Sequence, residues 1–474
     1  MAETSPASAP NSGAPTTSKF TRSLSGFGVI VLTLSVLSPG VSVFVSGASI
    51  LQTAGTGAIF AFLLGGLINY CQTSMSAELG AAYPTAGYDY AAIGHAIGDW
   101  AGATTYIASI FTLPLFLNTS ALGIAIYLRP VLPGLDDNFV TLVTVGVVTA
   151  LALLNIRTNE RITGLFMAIE LGALLLVAGV GLWHLQPGIH AMVFHPVHIE
   201  NGAWAVAGLS ALGLATNGAS WAVGGSSQAL MFCEDMRRPE TIGRIIMLSF
   251  LITVISETAP VIGAIVGAHD LKAVLSSTAP FETFLRQYLP ETGMKLVSLS
   301  IAIAIFNACL AGFIGIGRNV FAMGRTQLFT PSINHALTRL IPKSDAPWVA
   351  LLLIGVTTAL ATFLSLKFKV LLLSGGFTVL TCFYIWGIFA GRRSGRTGTH
   401  AYRTPYYPLI PILGVLIVIG EVIVLWSDPE SGRPSLFICA GFYFIGYLYF
   451  HMALARRPEG WKMTGPADVD ATTR

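Results

Sequence analysis

Along the chain, long apolar stretches alternate with short polar ones. They run approximately over Leu24–Ser49, Gly55–Leu79, Trp100–Leu128, Phe139–Ile156, Ile162–Trp183 and Trp204–Cys233. They continue over Ile242–Ala268, Met294–Met323, Pro347–Leu366, Val370–Ala390, Leu409–Trp426 and Leu436–Leu454. A helix needs about 20 apolar residues to cross a hydrocarbon core of about 30 Å, and these runs have that length. Barrel strands would be about ten residues of alternating polarity, a pattern the runs do not show. The pattern predicts an all-α polytopic membrane protein with twelve transmembrane helices. After the eighth run, "TPSINHALTRLI" offers Thr330 as N-cap and Pro331 at the first helical position, the start of a short amphipathic connector.

Composition agrees. Of 474 residues, 53% are hydrophobic and 10% charged, less than half the roughly 25% charge of soluble domains. A soluble multidomain enzyme is excluded, and the lipid bilayer is the expected solvent. The basic residues give an orientation. Nineteen of the 26, among them Lys19, Arg22, Arg161, Arg237, Arg238, Arg318, Arg325, Arg392, Arg393 and Arg457, fall on the side of the N-terminus if the spans number twelve. By the positive-inside tendency both termini are expected to be cytoplasmic, in a multi-pass protein of the cell (inner, cytoplasmic) membrane. Residues 1–23 and 455–474 read as cytoplasmic tails, the first disordered and without the features of a signal peptide.

With a net charge of +3 and no basic stripe interleaved with aromatics, nucleic acid is not an expected partner. Cys71, Cys233, Cys309, Cys382 and Cys439 lie in apolar runs without ligand spacing and read as small buried hydrophobes. His184, His190, His195 and His198 share one outer loop but lack regular ligand spacing, so no metal and no cofactor are expected, apart from a coupling ion.

Two runs carry helix-breaking interruptions. In the first, "LSVLSPGVSVF" places Pro39 and Gly40 near mid-membrane, flanked by Ser38, Val41 and Ser42. In the sixth, "TNGASWAVGGSSQALMF" supplies Gly224, Gly225, Ser226 and Ser227, with Trp221 close by to line or gate a site. Gly and Pro are common in membrane helices for packing and kinks. The pair, five helices apart, is nevertheless what a five-plus-five inverted repeat with broken first and sixth helices requires. Freed amides at a half-helix N-terminus attract a carboxylate and freed carbonyls attract an ammonium, so an amino acid or small organic amine suits such a site.

Intramembrane acids cost at least about 2.5 kcal/mol each on insertion scales and need a reason. Glu170, in "LFMAIELGALLLVAG", suits a residue that takes up and releases a proton during transport. Glu257 and Glu421 read as acids that hold helices together. Asn118 and Asn307 are candidate substrate contacts, with interhelical hydrogen bonding the more ordinary role for each. Trp100, Trp183, Trp204 and Trp426 read as interface anchors.

Four segments carry a family resemblance, which spans about Leu24–Leu454. "MSAELGAAYPTAGYDY" resembles the "AELxxAYPTAGGxY" segment of bacterial permeases of the amino acid-polyamine-organocation superfamily. "MFCEDMRRPETIGRII", "GRNVFAMGRTQLFTP" and "AYRTPYYPLIPILG" resemble that family's segments after the sixth helix, after the eighth, and at the entry to the eleventh. The resemblance implies a secondary transporter of amino acids or amines, often proton-coupled. Its two repeats would cover about residues 24–183 and 202–391, with two extra helices at about 407–454. It also implies that substrate polar groups are held by the two breaks. Ser38-Pro39-Gly40 stands where the family commonly has Gly-Ser-Gly, and looks more like the branch that includes amine permeases. Tyr88 replaces a glycine and Thr326 an aspartate. Glu170 falls where members carrying cationic amino acids have a lysine, so it would carry the proton-coupling role as an acid or neutralise a cation.

The expected function is a proton-coupled permease for an amino acid or small organic amine, working by alternating access as a monomer or homodimer. A non-transporting ligand sensor is the alternative, and a polytopic membrane enzyme a third. Neither a signalling domain nor a nucleophile and base constellation is visible in the sequence.

Overall fold

The structure, a computed structural model, describes residues 22–463 apart from 129–133, 155, 365, 400–401, 428, 430–431 and 459. The outer parts of the two expected tails, 1–21 and 464–474, lie outside the described residues. The chain is almost wholly helical. In order come α1 (Gly26–Leu37), α2 (Pro39–Val41), π-helical turns over Ser42–Gly47, α3 (Ala48–Ala54), α4 (Ala58–Ala82), α5 (Tyr88–Ile97), α6 (Asp99–Leu128), α7 (Asp137–Ala152), α8 (Ile156–Trp183) and α9 (Ile189–Phe194). A two-stranded hairpin, β1 (Val197–Glu200) with β2 (Ala203–Val206), leads to α10 (Leu209–Ala222) and 3-10 turns over Ser226–Asp235. Then follow α11 (Ile242–Gly267), α12 (Leu271–Ser276), α13 (Pro280–Arg286), α14 (Glu291–Arg325) and α15 (Pro331–Leu337). The chain closes with α16 (Trp348–Leu360), α17 (Leu366–Arg393), α18 (Leu409–Ser427) and α19 (Gly432–Tyr449).

Among the described residues, eight helical segments are long and apolar enough to cross a membrane, and α7 and α16 are shorter apolar helices. The protein is therefore a polytopic helical membrane protein. Two expectations need correction. The sixth run does not begin as a helix at Trp204, because Asn201 and Gly202 both take positive φ, 50° and 76°. Those angles suit a tight hairpin turn whose twist matches its strands. Residues 203–206 are thus strand, and the sixth helix starts at Leu209. Cys382 is exposed rather than buried, whereas the other four cysteines are buried and free.

Close approach of backbones holds α8 to α11. A side-chain carbon built at Gly181 would fall 2.1 Å from the Gly263 carbonyl oxygen, and one at Gly267 would fall 2.4 Å from the Gly181 Cα. Small residues at such crossings let helices pack where lipid gives no hydrophobic drive. This crossing brings together the two helices that carry Glu170 and Glu257. Gly181→Ala is expected to lower the melting temperature of the purified protein, at a cost of about 1–3 kcal/mol. Gly179→Ala, where a Cβ meets nothing within 4 Å, is the control and should leave it unchanged.

Candidate functional site

The first break is built from three neighbouring residues. Ser38 takes a left-handed conformation (φ 47°, ψ 80°) and closes α1 by donating its amide to the Leu34 carbonyl at 2.8 Å. Pro39 has no N–H to give to Ser35. The Gly40 amide turns to Glu170 Oε1 at 2.7 Å, and the Val41 amide to Ser38 Oγ at 3.3 Å. The carbonyls of Ser35, Val36 and Leu37 thereby lose their ordinary helical donors. Glu170, on α8, is 1% exposed; its Oε1 also accepts from Ser38 Oγ at 2.8 Å, while Oε2 meets no donor among the described residues. A Cβ at position 40 would lie 3.0 Å from the Glu170 carboxylate, so only glycine lets the acid approach this closely.

The second break follows α10. Gly225 is left-handed (φ 94°), and the chain resumes as 3-10 turns at Ser226. Asn69 of α4 holds the end of α10 by donating to the Ser220 carbonyl and to Ser220 Oγ. The two breaks are joined directly: Ser42 Oγ donates to the Ala222 carbonyl at 3.0 Å.

Between the breaks lies a cavity of about 510 Å³. Ser38, Val41 and Ser42 line it from the first break, and Trp221, Ala222, Gly224 and Gly225 from the second. Tyr88, Tyr90, Phe116, Ile305, Phe377 and Tyr443 supply much of the rest, and no Asp, Glu, Lys, Arg or His stands among the lining residues. Of the residues expected at the site from sequence, Pro39, Gly40, Ser226, Ser227 and Glu170 lie behind this wall, outside the lining set.

Asn118 and Asn307 are not lining residues either. Asn118 donates to the Thr358 carbonyl and to Thr362 Oγ1, both at 2.8 Å, and accepts from the buried Lys369 ammonium at 2.6 Å. Asn307 donates to Ser35 Oγ at 3.0 Å, tying α14 to α1 one turn before the break. Both amides thus make interhelical links. Sequence reading overlooked Tyr88 as a cavity residue. It sits at φ 58°, a strained backbone for a residue with a bulky side chain, and its hydroxyl meets Ser227 Oγ at 2.8 Å. The signal was available in the replacement of the second glycine of the "PTAGG" segment by Tyr88. Asp89 beside it is buried and accepts from Ser76 and Tyr384 hydroxyls at 2.5 Å each.

A family model described as "Amino acid permease" matches residues 24–448. The chain belongs to the amino acid permease family. It is 24% identical to the branched-chain amino acid permease BcaP of Lactococcus lactis, over 90% of this chain and 95% of that protein. It is similar also to two Bacillus subtilis proteins. The amino-acid permease RocC is 23% identical over 87% of this chain and 90% of RocC. The serine/threonine exchanger SteT is 25% identical over 84% of this chain and 90% of SteT. The protein is an amino acid transporter of the membrane.

In this permease, ion pairs cluster on the side where α1 begins. Arg325 grips Glu234 with two bonds of 2.6 and 2.5 Å, and Arg318 holds Asp235 at 2.7 Å. Arg392 grips Glu78 at 2.9 and 2.6 Å. The Asp235 carbonyl accepts from the amides of Ser23 and Leu24, and the Arg237 amide donates to the Leu24 carbonyl. The entry to α1 is thus stapled to the end of the second break and to α14. Glu234 also accepts from the Ala86 amide at 2.7 Å, reaching the segment that leads to Tyr88. Burial alone would push the Glu234 carboxyl up; the Arg325 guanidinium and the Ala86 amide outweigh it and hold the carboxyl below its usual range.

A carboxyl depressed on folding contributes stability above its unfolded value of about 4.3, and that stability is lost as pH falls through the folded value. The melting temperature should therefore fall on acidification below about pH 4, with a smaller fall in Glu234→Gln. Arg325→Met, which leaves Glu234 charged and buried, should cost about 3–5 kcal/mol near neutral pH.

Proposed function

We propose that this permease carries a neutral amino acid with an apolar side chain across the cytoplasmic membrane by proton-coupled alternating access, with Glu170 as the proton carrier. The observation that carries the reading is Glu170 itself. Its carboxyl holds the Gly40 amide at the first break from behind a cavity wall that has no Asp, Glu, Lys, Arg or His among its lining residues. A carboxyl so placed alters the break when it gains or loses a proton, since the bonds from Gly40 and Ser38 to Oε1 are charge-assisted only while the carboxyl is ionised. The carbonyls of Val36 and Leu37, residues that line the cavity, favour the substrate ammonium, and the left-handed turn at Gly225 opens the second break towards its carboxylate. Aromatic and aliphatic walls suit an apolar side chain, and a buried Lys, Arg, Asp or Glu side chain on the substrate would find no opposite charge. The name of the relative BcaP, a branched-chain amino acid permease, points the same way.

The same reading takes the architecture as twelve spans in a five-plus-five inverted repeat with two extra helices, and both termini as cytoplasmic. The two breaks and the one-sided clustering of basic residues support it. On this orientation the Glu234–Arg325, Asp235–Arg318 and Glu78–Arg392 pairs close the cytoplasmic end, and substrate release to the cytoplasm requires the first two to part. Purified protein in liposomes with an inward proton gradient should accumulate labelled L-leucine above its equilibrium level. Collapse of the gradient should abolish accumulation, and L-lysine or L-glutamate should not compete. Absence of flux for every amino acid would contradict the carrier reading; accumulation indifferent to the gradient would contradict the coupling.

A further inference from the structure

A second buried acid stands against the joint between the two breaks. Glu257, midway along α11, is 0% exposed, and neither carboxyl oxygen meets a hydrogen-bond donor among the described residues. An ionised, unpaired carboxylate in that setting is costly, so an orphaned acid here calls for a function. The π-helical turns that begin at Ser42 pack against α11, and they bring the Ser42 hydroxyl to face Glu257. Ser42 has one proton to give, and in this structure it gives it to the Ala222 carbonyl at 3.0 Å, across the gap between the first break and the second. Segments carrying Glu170, Asn69, Ser42 and the two breaks pack around α11. Among their described residues Glu170 is the one titratable group that interacts with Glu257 electrostatically.

We propose that Glu257 is a second proton-binding residue of the transporter, and that it sets the joint between the two broken helices through Ser42. With a proton on Glu257, the acid has an O–H to give, and it donates it to a Ser42 lone pair. The Ser42 proton then stays on the Ala222 carbonyl and the breaks are tied. When Glu257 loses its proton to water in the cavity, which Ser42 lines, the carboxylate becomes an acceptor. Ser42 turns its O–H to Glu257, and the Ala222 carbonyl is released into the cavity. One proton leaves, the Glu257–Ser42 hydrogen bond reverses direction, and the Ser42–Ala222 bond that ties the breaks is lost. Ser42 is the positioning residue of this switch. The inference requires no particular substrate and stands apart from the role given to Glu170.

The test reads the joint without substrate. In a Cys382→Ala background, Gly218→Cys places a thiol on the cavity wall beside the second break, and its labelling by a water-soluble maleimide is timed from mildly acidic to mildly alkaline pH. Each rate is taken relative to glutathione at the same pH. Loss of one buried hydrogen bond is expected to raise the relative rate roughly two- to tenfold as Glu257 ionises. Glu257→Gln, whose amide donates like the protonated acid, should hold the slow rate at every pH. Ser42→Ala should hold the fast rate at every pH, and Ser42→Thr, which keeps the hydroxyl, should restore the pH dependence. The same pattern should persist with Glu170→Gln added, which separates this switch from the coupling proposed for Glu170. A pH-independent wild-type rate would overturn the inference. So would a pH dependence that survives in Ser42→Ala, a variant that tests the switch even if Glu257→Gln does not fold.

Discussion

The amide of Gly40 has no helical acceptor, and the structure gives it a carboxylate instead. Ser38 turns left-handed, Pro39 brings no donor, and the backbone of the first helix is left open inside a medium with no water to satisfy it. Glu170 closes that opening from α8, taking the Gly40 amide and the Ser38 hydroxyl on a single oxygen. Interrupted helices survive at membrane depth only when protein or a wet cavity serves their freed groups. Here protein serves the amide side of the break, and the cavity faces the carbonyl side. The burial of Glu170, the glycine at position 40 and the shape of the cavity wall all follow from that division.

The rest of the molecule holds the break in place. Asn307 anchors α1 one turn before it, and Ser42 ties the segment after it to Ala222. Gly181, Gly263 and Gly267 let α8 and α11 approach closely enough to bring two acids to its back. At the far end, the Asp235 carbonyl and the Arg325–Glu234 and Arg318–Asp235 pairs hold the entry to α1 against the second break. Charge is thus confined to the ends and to the back of the site, and the cavity wall itself is neutral. Such a wall offers polar partners mainly from backbone and hydroxyl groups, and apolar surface from Trp221, Phe116, Phe377 and the tyrosines.

Much of this was legible in the sequence because helix breakers announce themselves. Pro39 withholds a helical donor and Gly225 takes a positive φ, and the structure interrupts both helices there, although at the first break the left-handed residue is Ser38 rather than Gly40. Local pattern does not reveal which side chain of a distant helix faces a break. Pro39, Gly40, Ser226 and Ser227 lie behind the wall, while Tyr88, on a separate segment, lines it. Asn118 and Asn307 are polar residues in apolar runs, a pattern shared by ligand contacts and interhelical links; tertiary packing decides for the links. The start of α10 lies later than the apolar run suggests because a short apolar strand and a helix end look alike in sequence, although the Asn201-Gly202 pair signals a hairpin.

If the carboxyl that caps the first break also carries the coupling proton, removing its titration separates driven accumulation from exchange. Glu170→Gln keeps the size and polarity of the side chain and removes its titration. Leucine accumulation driven by a proton gradient and leucine–leucine counterflow at equal pH should be measured on the same liposomes carrying this variant. Accumulation should be lost while counterflow persists. Accumulation at the wild-type level in Glu170→Gln would contradict the coupling role of Glu170.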